Sequence, residues 1–238
     1  MIAADYMADE RHVASLADAL RRDPEAMVRA SAAEALGSIG DPAGVPALLD
    51  ALNQTYWLVR GMAADSLGNF RSMVCVKALK ARLGIERRHY VRIHCHGALV
   101  RLGFDEHVEP LAEELYAPRH TDQGVASTVL ERVATPVTAM RIVSVALKCV
   151  EVRRLRFAVE NNFSLIAHLA GPANGAAAML DAAACALTAN ERETLGCCLA
   201  LARSGATARA AAIMAAMADQ DEVRRWRDEY SELGDITL

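Results

Sequence analysis

Val28 to Leu52 reads VRASAAEALGSIGDPAGVPALLDAL. In its first half Val28, Ala32, Leu36 and Ile39 recur at steps of four, four and three. That spacing lays them along one face of a helix. Gly40-Asp41-Pro42 then interrupts the pattern. Glycine suits the left-handed position after a helix, Asp caps the next one, and Pro fits its first turn. The second half restarts with Val45, Leu48 and Leu52, again one helical face. The stretch therefore predicts a helix, a short turn and a second helix.

The pattern repeats in both directions. First helices carry apolar residues at offsets 0, +3 and +7: Val13/Leu16/Leu20, Val45/Leu48/Leu52, Val76/Leu79/Leu83, Val108/Leu111/Leu115 and Met140/Val143/Leu147. Second helices carry them at 0, +4, +8 and +11: Val28, Val59, Val91 and Leu155 each open such a set, and Asp122/Ala126/Leu130/Val133 supplies the missing fourth. The period is 31 or 32 residues. Asp23-Pro24 falls between helices like Asp41-Pro42, and Gly103 occupies the same repeat position as Gly40. Two helices per period, joined by short turns, predict an all-α solenoid of about five clear and up to seven stacked antiparallel pairs.

Val28 to Leu52 closely resembles the HEAT-like repeat of the phycobilisome-lyase type. The resemblance covers residues 12–104 and weakens toward 169. It implies the solenoid fold. It does not imply one activity, because this repeat serves lyases, hydroxylases, glycosylases and plain adaptors. Hydroxylases of this kind bind iron through adjacent His-Glu pairs, and the chain has no His-Glu dipeptide. Glycosylases of this kind line a concave face with basic and aromatic residues, part of which is present.

The array is expected over residues 1–170. Residues 171–238 read as divergent helical repeats continuous with it, with helices near 175–187, 190–203, 206–217 and 221–232. Asn190 and Glu193 form a helix-start pair. Val223, Trp226, Tyr230 and Leu233 share one side of the last helix, whose other side is charged, as expected of a capping element.

Composition narrows the function classes. The chain has 238 residues, 53% apolar and 24% charged, with a net charge of −4. That balance fits a folded protein and argues against a surface made wholly for nucleic acid. Lysine stands only at Lys77, Lys80 and Lys148, so Arg supplies most of the 26 basic residues. With the richness in Ala, this suggests a bacterial source. Met1 to Val13 has no apolar signal region and no window has the length of a membrane span, so a cytoplasmic location without membrane contact is expected. Six cysteines without a CxxC pair read as reduced thiols.

Catalytic signatures are absent: no GxSxG, Walker A, HExxH or GxGxxG occurs. His94-Cys95-His96 is prominent, but consecutive helical side chains diverge by about 100° and do not converge on one metal. Register gives Cys95 a core slot and leaves two surface histidines. No metal site and no cofactor are expected.

Two recurrent features remain. Arg29, Arg60, Arg92 and Arg156 share offset +1 of the second helices, which reads as a structural ladder between neighbouring repeats. Residues 77–101 hold seven basic side chains against Glu86 alone, centred on Arg87, Arg88 and Arg92. This is either a surface compensated by the acidic run at 105–114 or a docking patch.

Helix geometry also places a face opposite each core stripe, at offsets −2, +2, +5 and +9. It carries Trp57, His89, Ile93, His96, Val100, Arg153 and Phe157 among small residues. If it forms the concave face, it makes a groove with large anchors for a protein or peptide. If it packs on neighbouring repeats, the groove does not exist. The function expected is thus a non-catalytic scaffold with a protein partner. The alternatives are an enzyme of the lyase or glycosylase kind, and nucleic-acid binding through 77–101.

Overall fold

The computed structural model describes residues 10–117, 119–135 and 207–229, with isolated positions between 138 and 202. The described residues are helices, turns and loops. The fifth-repeat expectations, including Arg153, Arg156 and Phe157, lie outside the described residues, as do the helix at 175–187 and the Asn190–Glu193 pair. Two compact units divide the chain, residues 1–111 and 112–238.

In the first unit, three helix pairs follow in order. They are α1 (Glu10–Arg22) with α2 (Ala26–Ile39), α3 (Val45–Ala51) with α4 (Trp57–Leu67), and α5 (Met73–Ile85) with α6 (His89–Arg101). A 3-10 turn at Pro42–Gly44 precedes α3, and another at Asp105–His107 precedes α7 (Val108–Glu113), within which the two units divide. The turn chemistry matches the sequence. Gly40 and Gly103 take left-handed φ values of 73° and 93°. The Asp41 carboxylate accepts the Ala43 N–H at 2.8 Å, with Pro42 in the first turn.

Each first helix packs on its own second helix, and the second helices stack along one another, α2 on α4 and α4 on α6. The core lies between the two layers. Leu20, Leu36, Leu48, Leu67, Leu79 and Leu99 are fully buried in it, all at positions given by the apolar registers. Val59 and Val91 are likewise buried. Val28, their counterpart in the first repeat, is 44% exposed.

The second helices approach closely because small residues face them. The Ser66 hydroxyl of α4 donates to the Ala33 carbonyl of α2 at 2.8 Å, and the Asn69 amide donates to the Gly37 carbonyl at 3.0 Å. A Cβ on Gly68 would lie 2.8 Å from the Ala98 Cα of α6. A Cβ on Gly61 would run into the Tyr90 ring.

In the second unit, α8 (His120–Val133) buries Asp122, Ala126, Leu130 and Val133, the four positions of the fourth-repeat register. Further on, α9 (Thr207–Ala215) and α10 (Gln220–Glu229) fall where helices were expected, and α10 buries Val223 and Trp226. Among the described residues no helix is long and apolar enough to cross a membrane.

Gly68→Ala sets a new methyl against backbone that has no room to yield. Thermal unfolding should show a loss of about 1–3 kcal/mol. Gly84→Ala, in α5 with nothing within 4 Å of the added Cβ, should instead gain about 0.5–1 kcal/mol.

Candidate binding face

Of the +1 arginines, Arg29 and Arg60 each bond their own turn and reach into the next repeat. Arg29 donates from Nη1 to the Asp23 and Pro24 carbonyls of its own turn, at 2.7 and 3.1 Å. Its Nε reaches Gln54 in the next repeat at 2.8 Å. Arg60 repeats the arrangement one step along. Its Nη1 donates to the Gln54 and Thr55 carbonyls at 2.8 and 2.7 Å, and its Nε and Nη2 reach Glu86 at 2.8 and 3.2 Å. In the second unit Gln123 holds the corresponding position and donates to the Ala117 carbonyl.

Glu86 collects the most donors. Besides Arg60 it accepts Arg82 Nε at 2.9 Å and the N–H groups of Arg87 and Arg88 at 3.0 Å each. Burial pushes its carboxyl upward, but the Arg60 hydrogen bond, the backbone N–H of Arg88 and the two guanidinium charges outweigh that and bring its pKa down to about 2.

This pairing redraws the basic segment. Arg82 is committed to Glu86, Lys80 to Glu106 at 3.2 Å, and Arg101 to Asp65 at 3.0 Å. Arg87 and Arg88 remain exposed, while Arg92 is half-buried.

The face expected at offsets −2, +2, +5 and +9 is corrected. Ile93, His96 and Val100 are buried, with 0%, 6% and 6% exposure, so they present no groove. Trp57 and His89, at the helix starts, are half-buried. The reason is visible in α2 and α4. That register is the flank receiving the next second helix, where Gly37 lies under Ser66, Gly61 under Tyr90 and Gly68 under Ala98. The small residues are there for helix contact.

The open face lies one residue further on, a rotation of about 100°. On α2 it carries Met27, Ser31, Glu34 and Ser38, all exposed. On α4 it carries Leu58, Met62 and Asp65, half-buried, with Asn69 just past the helix and exposed. The corresponding positions of α6 are Tyr90, His94, Gly97 and Arg101. Aromatic rings run along the helix starts: Tyr56 to Trp57 at 5.8 Å between centroids, Trp57 to Tyr90 at 4.8 Å, and Tyr90 to His94 at 4.6 Å. Tyr56 is 38% exposed. At the inner end of the run, His94 Nδ1 lies 3.5 Å from Asp65 Oδ1, the oxygen that also pairs with Arg101.

His94 and His96 are therefore buried rather than surface histidines, although they still diverge. One faces Asp65, and the other meets His107 with 3.0 Å between their Nδ1 atoms. Cys95 sits fully buried between them, its thiol pushed up to about 12 by burial and by the Glu86 charge. Such a thiol is no nucleophile at neutral pH. Among the described residues no group of three or more His, Cys, Asp or Glu side chains gathers for a metal.

Residues 13–100 match the family model described as HEAT repeats. No curated protein matches the chain. Among solved structures it is similar to an engineered protein at 18% identity, covering 94% of this chain and 69% of that one, TM-score 0.47. It is similar to the complex of CpcE and CpcF of phycocyanin lyase from Nostoc sp. PCC7120 at 19% identity, covering 88% and 83%, TM-score 0.45. It is also similar to human deoxyhypusine hydroxylase in complex with glycerol at 20% identity, covering 94% and 83%, TM-score 0.39. Likenesses of this strength carry no activity over.

Acid should lower the stability of the first unit in two overlapping stages. Burial first, and then the His107 and Arg92 charges, lower the His96 pKa from 6.5 to about 3, so its contribution is complete above pH 6.5 and is lost as pH falls from there. Glu86 is also depressed, so its contribution holds above pH 4.5 and is lost toward pH 2. Denaturant titrations of His96→Gln should flatten the first stage. Those of Glu86→Gln should flatten the second and cost on the order of 3 kcal/mol at pH 7 by leaving Arg60 buried without its charge partner.

Proposed function

We propose that this chain, whose residues 13–100 are HEAT repeats, is a non-catalytic cytoplasmic scaffold that binds a segment of a partner protein on the open face of its second helices. In this reading the repeats continue to residue 170, and 171–238 close the far end of the array. One observation carries the proposal. Met27, Val28 and Tyr56 expose 60%, 44% and 38% of their surface along the starts of α2 and α4, beside half-buried Trp57, Leu58 and Tyr90.

An apolar and aromatic strip of this kind costs solubility and marks an interaction site when its members are contiguous. Register makes them so, because Met27, Leu58 and Tyr90 occupy one offset of three stacked helices. The rings are already fixed against one another, so a partner would lose little entropy on their account. Exposed Arg87 and Arg88 stand on the same edge of the array, just before α6. The partner segment therefore carries large apolar side chains flanked by acidic ones.

The test is capture from lysate of the source organism, with and without nuclease, comparing wild type with Met27→Ser/Tyr56→Ser. Both positions are exposed, so the variant should fold normally by circular dichroism. A protein held by wild type and reduced at least about tenfold by the double change supports the reading, a tenfold loss being 1.4 kcal/mol. Equal capture by both sinks it. Material that disappears on nuclease treatment would instead favour nucleic-acid binding through Arg87 and Arg88.

A further inference from the structure

A second feature lies on the opposite edge of the first unit, where each second helix hands over to the next first helix. A cavity of about 460 Å³ opens there, lined by Arg71, Met73, Val76, Arg101, Leu102 and Phe104 among others. The repeat itself makes these residues conspicuous. Arg71 stands where the neighbouring repeats have Gly40 and Gly103, and Met73-Val74 stands where they have Pro42-Ala43 and Asp105-Glu106. The third repeat thus departs from its neighbours at one edge by gaining a cation and two large apolar side chains. Met73 and Val74 are 60% and 58% exposed.

The walls are held in place. Ser72 caps α5, its hydroxyl accepting the Val74 N–H at 3.3 Å. The Phe104 ring is covered on one side by Lys80, whose Nζ lies 4.3 Å from the ring centroid. Gly103 provides the left-handed turn that sets Phe104 in position. The charges are unequal. Arg101 is neutralised by Asp65 and Lys80 by Glu106, whereas Arg71 is exposed and has no ion pair among the described residues. The start of α5, with its outward-facing N–H groups, adds positive potential at the same end.

We propose that this cavity binds the C-terminal residue of a partner protein, when that residue is large and apolar. The side chain would rest on Met73, Val76, Leu102 and Phe104, and the terminal carboxylate would pair with Arg71. The volume suits one such residue with the backbone beside it. A C-terminal residue is the protein group that carries an apolar side chain and a carboxylate on one Cα, which the pairing of one free cation with one apolar pocket demands. The site is separate from the strip at Met27 and Tyr56, so the failure of either proposal leaves the other standing.

The experiment uses the full chain with methyl-labelled methionine, the Met73 signal being assigned through Met73→Leu. It is titrated with acetyl-Ala-Ala-Phe and, separately, with the same peptide as its C-terminal amide. The expected result is a saturable shift of the Met73 signal with the acid, and binding about tenfold weaker with the amide, the effect of one charge-assisted pair. Arg71→Gln, at an exposed site that should not affect folding, should reduce the acid to the affinity of the amide. No shift with either peptide overturns the proposal. So does equal binding of acid and amide by wild type, or a preference for the acid that survives Arg71→Gln.

Discussion

The first unit depends on how closely its second helices approach one another. Gly37 on α2, Gly61 on α4 and Gly68 just past its end leave no side chain in the way of the helix that follows. Ser66, Tyr90 and Ala98 take up that space. Helix packing at this range gains dispersion contact over the whole length of the interface, and a single extra methyl on the receiving flank forfeits part of it. The core between the layers is filled mainly by Leu, Ala and Val, with Phe70 buried among them and few other large aromatic residues beside it. A composition with 5% aromatic residues is enough for such an architecture.

Stacking also brings successive turns together, which creates a polar problem beside the apolar one. Turn carbonyls near a buried edge need donors. Arg29 and Arg60 meet the need twice over, with one nitrogen serving carbonyls of the same repeat and others reaching the side chain of the next. A planar guanidinium does this where a lysine ammonium would not, since its donors point in fixed directions. Glu86 is the densest of these junctions. Its low pKa reflects how completely its oxygens are used, and its charge helps raise the thiol of Cys95 nearby. Of the seven basic side chains in the expected patch, Lys80, Arg82 and Arg101 are held in ion pairs, while Lys77, Arg87 and Arg88 are exposed.

What is left after these requirements are met is the surface available for binding. The flanks of the second helices are spent on one another. The face one residue further round and the two edges of the stack remain. On one edge the aromatic run begins at exposed Tyr56 and ends at buried His94, so a rigid apolar ledge is anchored in the protein interior. On the other edge Met73, Phe104 and Arg71 surround a cavity. Tyr56, Arg71, Met73 and Phe104 are side chains that the repeat does not require for its own packing, since the equivalent positions in other repeats are small or polar.

Over the described repeats the period, the pairing of helices, the core registers apart from Val28, and the glycine and proline stops were legible in the sequence. Each is a local or strictly periodic property: apolar side chains every three or four residues, Gly where φ must be positive, Pro where a helix begins. The Arg ladder was legible for the same reason, because offset +1 recurs. The binding face was not. Placing it required knowing which side of a second helix meets its neighbour, and an error of one residue turns the helix by about 100°. Sequence periodicity defines the core stripe but leaves the two flanks equivalent. The stacking direction alone decides that Gly61 and Gly68 are covered while Leu58 and Met62 stay accessible. His94 and His96 show the same limit, since their burial depends on Asp65, Tyr90 and His107, brought beside them by other helices and turns. Local chemistry fixed the repeat, and contact between repeats, a tertiary property, fixed which of its surfaces remain free.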